Sequence, residues 1–112
     1  MTEEQVIQAL SALAHPVRLK VFRALVVSGP RGLMPSVMQE GLSVPASTLS
    51  FHLKELTHSG LVNVQRDSRT LIYRAAYGSM NALIGYLSNN CCEGAECAVQ
   101  ETAGRSRKTV EA

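Results

Sequence analysis

The sequence predicts a mainly α-helical domain of about five helices, interrupted by one two-stranded antiparallel hairpin. Apolar residues recur at helical spacing over most of the first 60 positions and again over 76–89, whereas the segment after Gly60 has a strand-like pattern around a polar corner. The size agrees: 112 residues, 46% hydrophobic and 18% charged, fit one domain with a modest core. That core must be mostly aliphatic, because Phe22, Phe51, Tyr73, Tyr77 and Tyr86 are the only aromatic residues.

The first helix is read from EEQVIQALSALAHP, with acids in its first turn, apolar residues at Val6, Ile7, Leu10 and Leu13, and an end near Ala14. Pro16 suits the first turn of a second helix, in which Leu19, Phe22, Leu25 and Val26 form the expected buried stripe. The segment Gly29–Gly32 (GPRG) breaks it. A short helix over Met34–Glu40 stops at Gly41, and LSVP leads into ASTLSFHLKELTHSG, with Gly60 as its C-terminal cap. In that fourth helix Leu49, Leu53 and Leu56 recur at i, i+4 and i+7 and face inward, which leaves Ser47, Thr48, Ser50, His52 and Lys54 largely on other faces.

Two strands follow in LVNVQR and TLIYRA, joined at Asp67 and Ser68 by a corner without the glycine that most favours a tight turn. A last helix spans about Ala76–Asn89, with Met80, Leu83, Ile84 and Leu87 on one face. Residues 93–112 are polar and aperiodic and are expected to be largely a flexible tail. The domain is therefore assigned to 1–90, and 91–112 to a cysteine-containing segment with a basic end. No internal repeat is visible.

Charge gives only weak guidance. The net charge of +2 is spread over bases at Arg18, Lys20 and Arg23, at Arg66, Arg69 and Arg74, and at Arg105–Lys108. No apolar run approaches the roughly 18 residues of a membrane span, and the acidic N-terminus is unlike a secretory signal, so a soluble cytoplasmic protein with no membrane partner is expected. Three clustered cysteines make no disulfide framework, and a reducing compartment would keep them available as ligands or redox thiols.

A short helix, a turn, a second helix with a polar outer face and then a hairpin make a winged helix-turn-helix. Such a module lays its second helix in the major groove and sets basic hairpin residues on phosphate or in the minor groove. The alternative at this level is a small α+β domain whose Ser and Thr are surface residues and whose His52 is partly buried.

The segments LAHPVRLKVFRAL, VPASTLSFHLKELTHSGLV and RDSRTLIYRA resemble, in order and spacing, the ArsR/SmtB family of metalloregulatory repressors, over roughly residues 5–90. The resemblance implies a winged-helix homodimer, joined mainly through its first and last helices, that represses its operator until an inducer binds. The matching dimer residues are Leu10, Leu13, Met80, Leu83, Ile84 and Leu87, of which some must also serve the core. It implies contact with double-stranded operator DNA at Ser47, Thr48, Ser50 and His52 in the fourth helix and at Arg66 and Arg69 in the wing. His15 and His58 are expected to be structural.

Sensor sites in the family differ in place. The segment LMPSVMQE lacks the cysteines of one arsenic site, and AAYGSMNALIGYLSNN lacks the His and carboxylates of a zinc site on the last helix. Cys91, Cys92 and Cys97 are similar to the C-terminal arsenite-sensing site of one branch. Thiolates are soft donors, and three would satisfy As(III) or Sb(III), whereas zinc usually wants a fourth ligand. Cys91 and Cys92 should converge only past the regular helix, with Gly94 permitting the return of Cys97. Three other readings remain: a redox sensor, against which Glu93 and Glu96 argue, a Zn(II) site completed by Glu93, Glu96 or a residue of the other subunit, and three unligated tail cysteines. A metallochaperone or arsenic-handling enzyme finds no support, since the chain shows no phosphate loop, no nucleophile with a positioned base and no carboxylate pair, and no catalytic cofactor is expected.

Overall fold

The structure, a computed structural model, describes residues 1–94; Cys97 and the basic tail lie outside the described residues. Five α-helices and one antiparallel hairpin are present: α1 Glu3–Leu13, α2 Pro16–Ser28, α3 Pro35–Leu42, α4 Ala46–His58, β1 Val62–Asp67, β2 Thr70–Ala75 and α5 Tyr77–Ser88. A short 3-10 turn occupies Gly29–Arg31, and a non-helical turn occupies Cys91–Gly94.

Side chains fix the helix starts. Thr2 and Gln5 form a reciprocal capping box on α1, the Thr2 hydroxyl accepting from the Gln5 N–H at 3.1 Å and the Gln5 side-chain Oε1 accepting from the Thr2 N–H at 2.8 Å. His15 caps α2 with a single bond, its Nδ1 accepting from the Val17 N–H at 3.1 Å with Pro16 in the first turn. This gives His15 the structural role expected of it. Helix α4 ends in a Schellman motif: the Leu61 N–H bonds the Leu56 carbonyl and the Gly60 N–H the Thr57 carbonyl, with Gly60 at φ 87°.

The core draws on every helix and both strands: Val6 and Ala9, Val21, Phe22 and Leu25, Met38, Leu49, Leu53 and Leu56, Leu61 and Val62, Ala75 and Leu83. Truncating one of these leucines to alanine should cost about 2–5 kcal/mol, because its neighbours cannot fully close the cavity. Leu19 does not join them. It is 49% exposed, and Val21 takes an inward position, so the expected stripe on α2 loses Leu19 and gains Val21 beside Phe22 and Leu25. Gly41 likewise lies within α3, which runs on to Leu42 and is capped by Ser43 in the left-handed region at φ 54°.

The hairpin pairs Val62 with Ala75 through Asp67 with Thr70, leaving Ser68 and Arg69 as a two-residue loop. Ser68 takes φ 63° where a glycine would be unstrained. A rung invisible in the sequence anchors this wing. Leu33 and Tyr73 exchange backbone hydrogen bonds of 2.9 Å in both directions. Gly32 makes the close approach possible: it is buried at φ 71°, and a Cβ there would lie 2.6 Å from the Tyr73 carbonyl oxygen. Arg74 ties the same corner, donating from Nε to the Pro30 carbonyl and from Nη1 to Gln65 Oε1, both at 2.6 Å.

Candidate nucleic-acid interface and thiol turn

Helix α4 separates its inner and outer faces by phase. At about 100° per residue, Leu49, Leu53 and Leu56 point one way, and Ser47, Ser50, Phe51 and Lys54 point broadly the other. Burial agrees: the three leucines are within the core, while Ser47, Thr48, Ser50, Phe51 and Lys54 are exposed. Arg66 and Arg69 are exposed too, Arg69 in the hairpin loop and Arg66 near the end of β1. The outer face of α4 therefore offers hydroxyls and an ammonium, and the wing tip offers two guanidiniums.

His52 is a correction. It was expected away from the leucine stripe, but it is 5% exposed. Its phase lies at the edge of the stripe, and its polarity is satisfied from another helix: Arg18 Nε on α2 donates to His52 Nδ1 at 3.0 Å. The His15 ring lies 4.5 Å from that of His52, centroid to centroid. Burial, then the neighbouring His15 and Arg18, hold the His52 imidazole below the usual histidine range, with Glu55 pulling the other way. A neutral ring keeps Nδ1 free to accept the Arg18 proton. His52 thus joins α2 to α4 in this conformation instead of facing outward.

Phe51 is the residue that sequence reasoning passed over. It is 54% exposed on the outer face of α4, and the Arg18 guanidinium carbon sits 5.5 Å from its ring centroid. Helical phase alone, counted from Leu49 and Leu53, could have found it.

The last helix divides its apolar residues between two surroundings. Leu83 is buried in the chain's own core, and Met80 packs against it, as does Leu13 of α1. Ile84 and Leu87, with Ile7 and Leu10 of α1, remain exposed at 41–61%. Tyr77, the first residue of α5, donates its hydroxyl to the Val26 carbonyl at 3.1 Å and so fixes this helix to the end of α2. Among the described residues no helix is long and apolar enough to cross a membrane.

Beyond α5 the chain enters a turn in which Asn90, Cys92 and Glu93 all have φ between 55° and 60° and Gly94 has φ 89°. Departure from helical geometry brings the Cys91 and Cys92 sulfurs to 3.6 Å, and both residues are exposed. Two soft donors this close, open to solvent, suit a thiophilic ion. Among the described residues no group of three or more His, Cys, Asp or Glu is arranged to hold a metal, and the expected third thiol, Cys97, falls outside them.

Known proteins share this architecture. A helix-turn-helix domain family matches residues 13–65. The HTH-type transcriptional regulator YgaV of Escherichia coli is 32% identical over 89 residues, which span 80% of this chain and 88% of that protein. Among solved structures, HlyU from Vibrio cholerae is 26% identical, with a TM-score of 0.64 over 83% of this chain and 100% of the other. An ArsR-like transcriptional regulator from a Rhodococcus species has a TM-score of 0.68 at 24% identity, over 76% of this chain and 77% of its own, and shares the fold. The four-helix approach to a two-stranded wing, the polar outer face of α4 and these likenesses have one meaning: the chain belongs to the helix-turn-helix transcriptional regulators, has the winged-helix fold seen in an ArsR-like regulator, and is a DNA-binding regulator.

Proposed function

We propose that the protein is a homodimeric repressor that leaves its operator when As(III) or Sb(III) binds Cys91, Cys92 and Cys97. The observation that carries this reading is the pair of exposed sulfurs 3.6 Å apart on the turn that leaves α5. Residues 1–90 are then the DNA-binding and dimerisation domain, and 91–112 the metalloid-binding segment and basic tail, in a cytoplasmic protein.

The exposed apolar residues of α1 and α5 support dimerisation. Ile7, Leu10, Ile84 and Leu87 are left exposed by the described residues, and a second copy would cover them. A dimer presents two α4 helices to half-sites about one DNA turn apart, ~34 Å. Ser47, Thr48 and Ser50 contact base edges or phosphates, and Arg66 and Arg69 contact phosphate or the minor groove. His52, drawn into the core, supports the helix from behind.

Release follows from position. A metalloid gathering three thiolates orders the segment immediately after α5, the helix proposed to cross the dimer. A shift of that helix changes the separation of the two α4 helices, and a coupling of about 1–3 kcal/mol, 5- to 150-fold in affinity, is enough for a switch.

The test is fluorescence anisotropy of labelled promoter DNA with reduced protein, titrated with arsenite, Zn(II) or peroxide in parallel. Release by arsenite, lost in Cys91→Ser and Cys97→Ser, is the expected result. Release by peroxide or Zn(II) with none by arsenite would keep the DNA-binding reading and transfer the thiols to redox or zinc sensing.

A further inference from the structure

The outer face of α4 carries one large apolar residue among polar ones. Phe51 lies beside Ser47, Ser50 and Lys54, 54% exposed, opposite in phase to the leucine stripe. A phenyl ring there gains nothing from the core. It is also held in place. Arg18 Nε is tied to the buried His52 at 3.0 Å, its guanidinium carbon lies 5.5 Å from the Phe51 centroid, and the His52 ring meets the Phe51 ring nearly edge-on at 5.5 Å. Two side chains, Arg18 from α2 and His52 from α4, thus fix the orientation of an aromatic ring on the surface proposed to approach DNA.

We propose that Phe51 is a specificity-determining residue that packs on the C5-methyl group of a thymine in the major groove, and that Arg18, held by His52, positions its ring. This inference rests on the operator-binding reading above. The chemistry favours thymine: the methyl group is the apolar feature that distinguishes bases in the major groove, and an apolar side chain is the group that reads it. Ser47 and Ser50 supply hydrogen bonds on either side, and the Arg18 charge beside the ring suits the phosphate-lined groove.

The experiment replaces each thymine of a labelled operator duplex in turn by deoxyuridine, which removes only the C5-methyl, and measures affinity by anisotropy for wild type, Phe51→Ala and Phe51→Leu. Wild type should lose about four-fold at one position of each half-site. Phe51→Ala should bind the thymine and uracil duplexes equally at that position, and Phe51→Leu should retain part of the preference. Arg18→Gln should shrink the thymine-to-uracil ratio, a ratio that a general loss of stability does not move.

If no thymine matters to wild type, or if the uracil penalty is as large in Phe51→Ala, the inference is overturned. A uniform loss of affinity in Phe51→Ala, with the uracil penalty intact, would make the ring a support for Arg18 on phosphate and would equally overturn it. Failure of the operator reading is distinguishable, since wild type would then bind none of the promoter duplexes, and the inference would fall with it. The uracil scan of wild type depends on no variant folding.

Discussion

Helix α4 and the turn Cys91–Gly94 differ in almost every respect that governs rigidity. The helix buries three leucines, ends in a Schellman motif and is clasped from α2 through Arg18 and His52. The turn buries no residue, and Cys92 and Glu93 adopt left-handed backbone conformations that cost a non-glycine residue about 1–2 kcal/mol each. A DNA reader must present fixed groups to base edges, so packing supplies its precision. A ligand, in contrast, shifts an equilibrium only as far as it binds one state better than the other, and a solvent-open turn next to the helix proposed to dimerise can rearrange around an ion.

The largest effect expected from breaking this comparison is at the wing. Gly32→Ala forces a Cβ against the Tyr73 carbonyl and strains a left-handed residue, and should destabilise the fold by about 3 kcal/mol in urea denaturation. A loss below about 0.5 kcal/mol, the range of an ordinary surface substitution, would show that the Leu33–Tyr73 rung yields without cost.

Next is the turn itself. Cys91→Ser should leave unfolding and unliganded operator affinity unchanged while removing the whole arsenite response, about 5- to 150-fold in affinity. If the substitution weakened DNA binding without arsenite, the turn would be part of the reader and the contrast between the two regions would be lost.

Acid should act on the helix and spare the turn. The His52 pKa is lowered in the folded protein, so its unfolded form takes up a proton first; the stability this contributes is present above the ordinary histidine value of about 6.5 and is lost as pH falls through the lower folded value. Burial first, then His15 and Arg18, lower it, and Glu55 opposes them. Denaturation midpoints should fall between pH 7.5 and 5.5 in wild type and fall less in His52→Asn; equal slopes would remove His52 from the account.

The smallest effect sharpens the wing. Ser68→Gly should raise stability by about 1 kcal/mol, because glycine adopts φ 63° without strain, and leave the arsenite response untouched.

Much of this architecture was legible in the sequence, for identifiable reasons. The Leu49, Leu53 and Leu56 spacing and Gly60 predicted the inner face and end of α4, since helical phase and a left-handed cap are local properties. His52 was misplaced because its partner is Arg18, 34 residues away, and no local pattern announces a buried histidine. The Leu33–Tyr73 rung was missed for a similar cause: a single pair of residues has no alternation to read. In α5 the periodicity identified an apolar face, but only packing divided Leu83, turned inward, from Ile84 and Leu87, left outward. The cysteine cluster stood out at once. The close approach of Cys91 and Cys92 beyond the helix agrees with the expected loss of helical geometry there, while the position expected for Cys97 lies outside the described residues.

The central claim is that the thiol turn and the DNA-reading face are coupled. Its most direct test is the operator affinity of reduced wild-type protein with and without saturating arsenite, set against the arsenite affinity of the protein with and without operator. The account predicts the same factor in both comparisons, between about 5 and 150, as linkage requires. Tight arsenite binding with a factor of one would contradict it, for the thiols would then hold the metalloid without any influence on DNA.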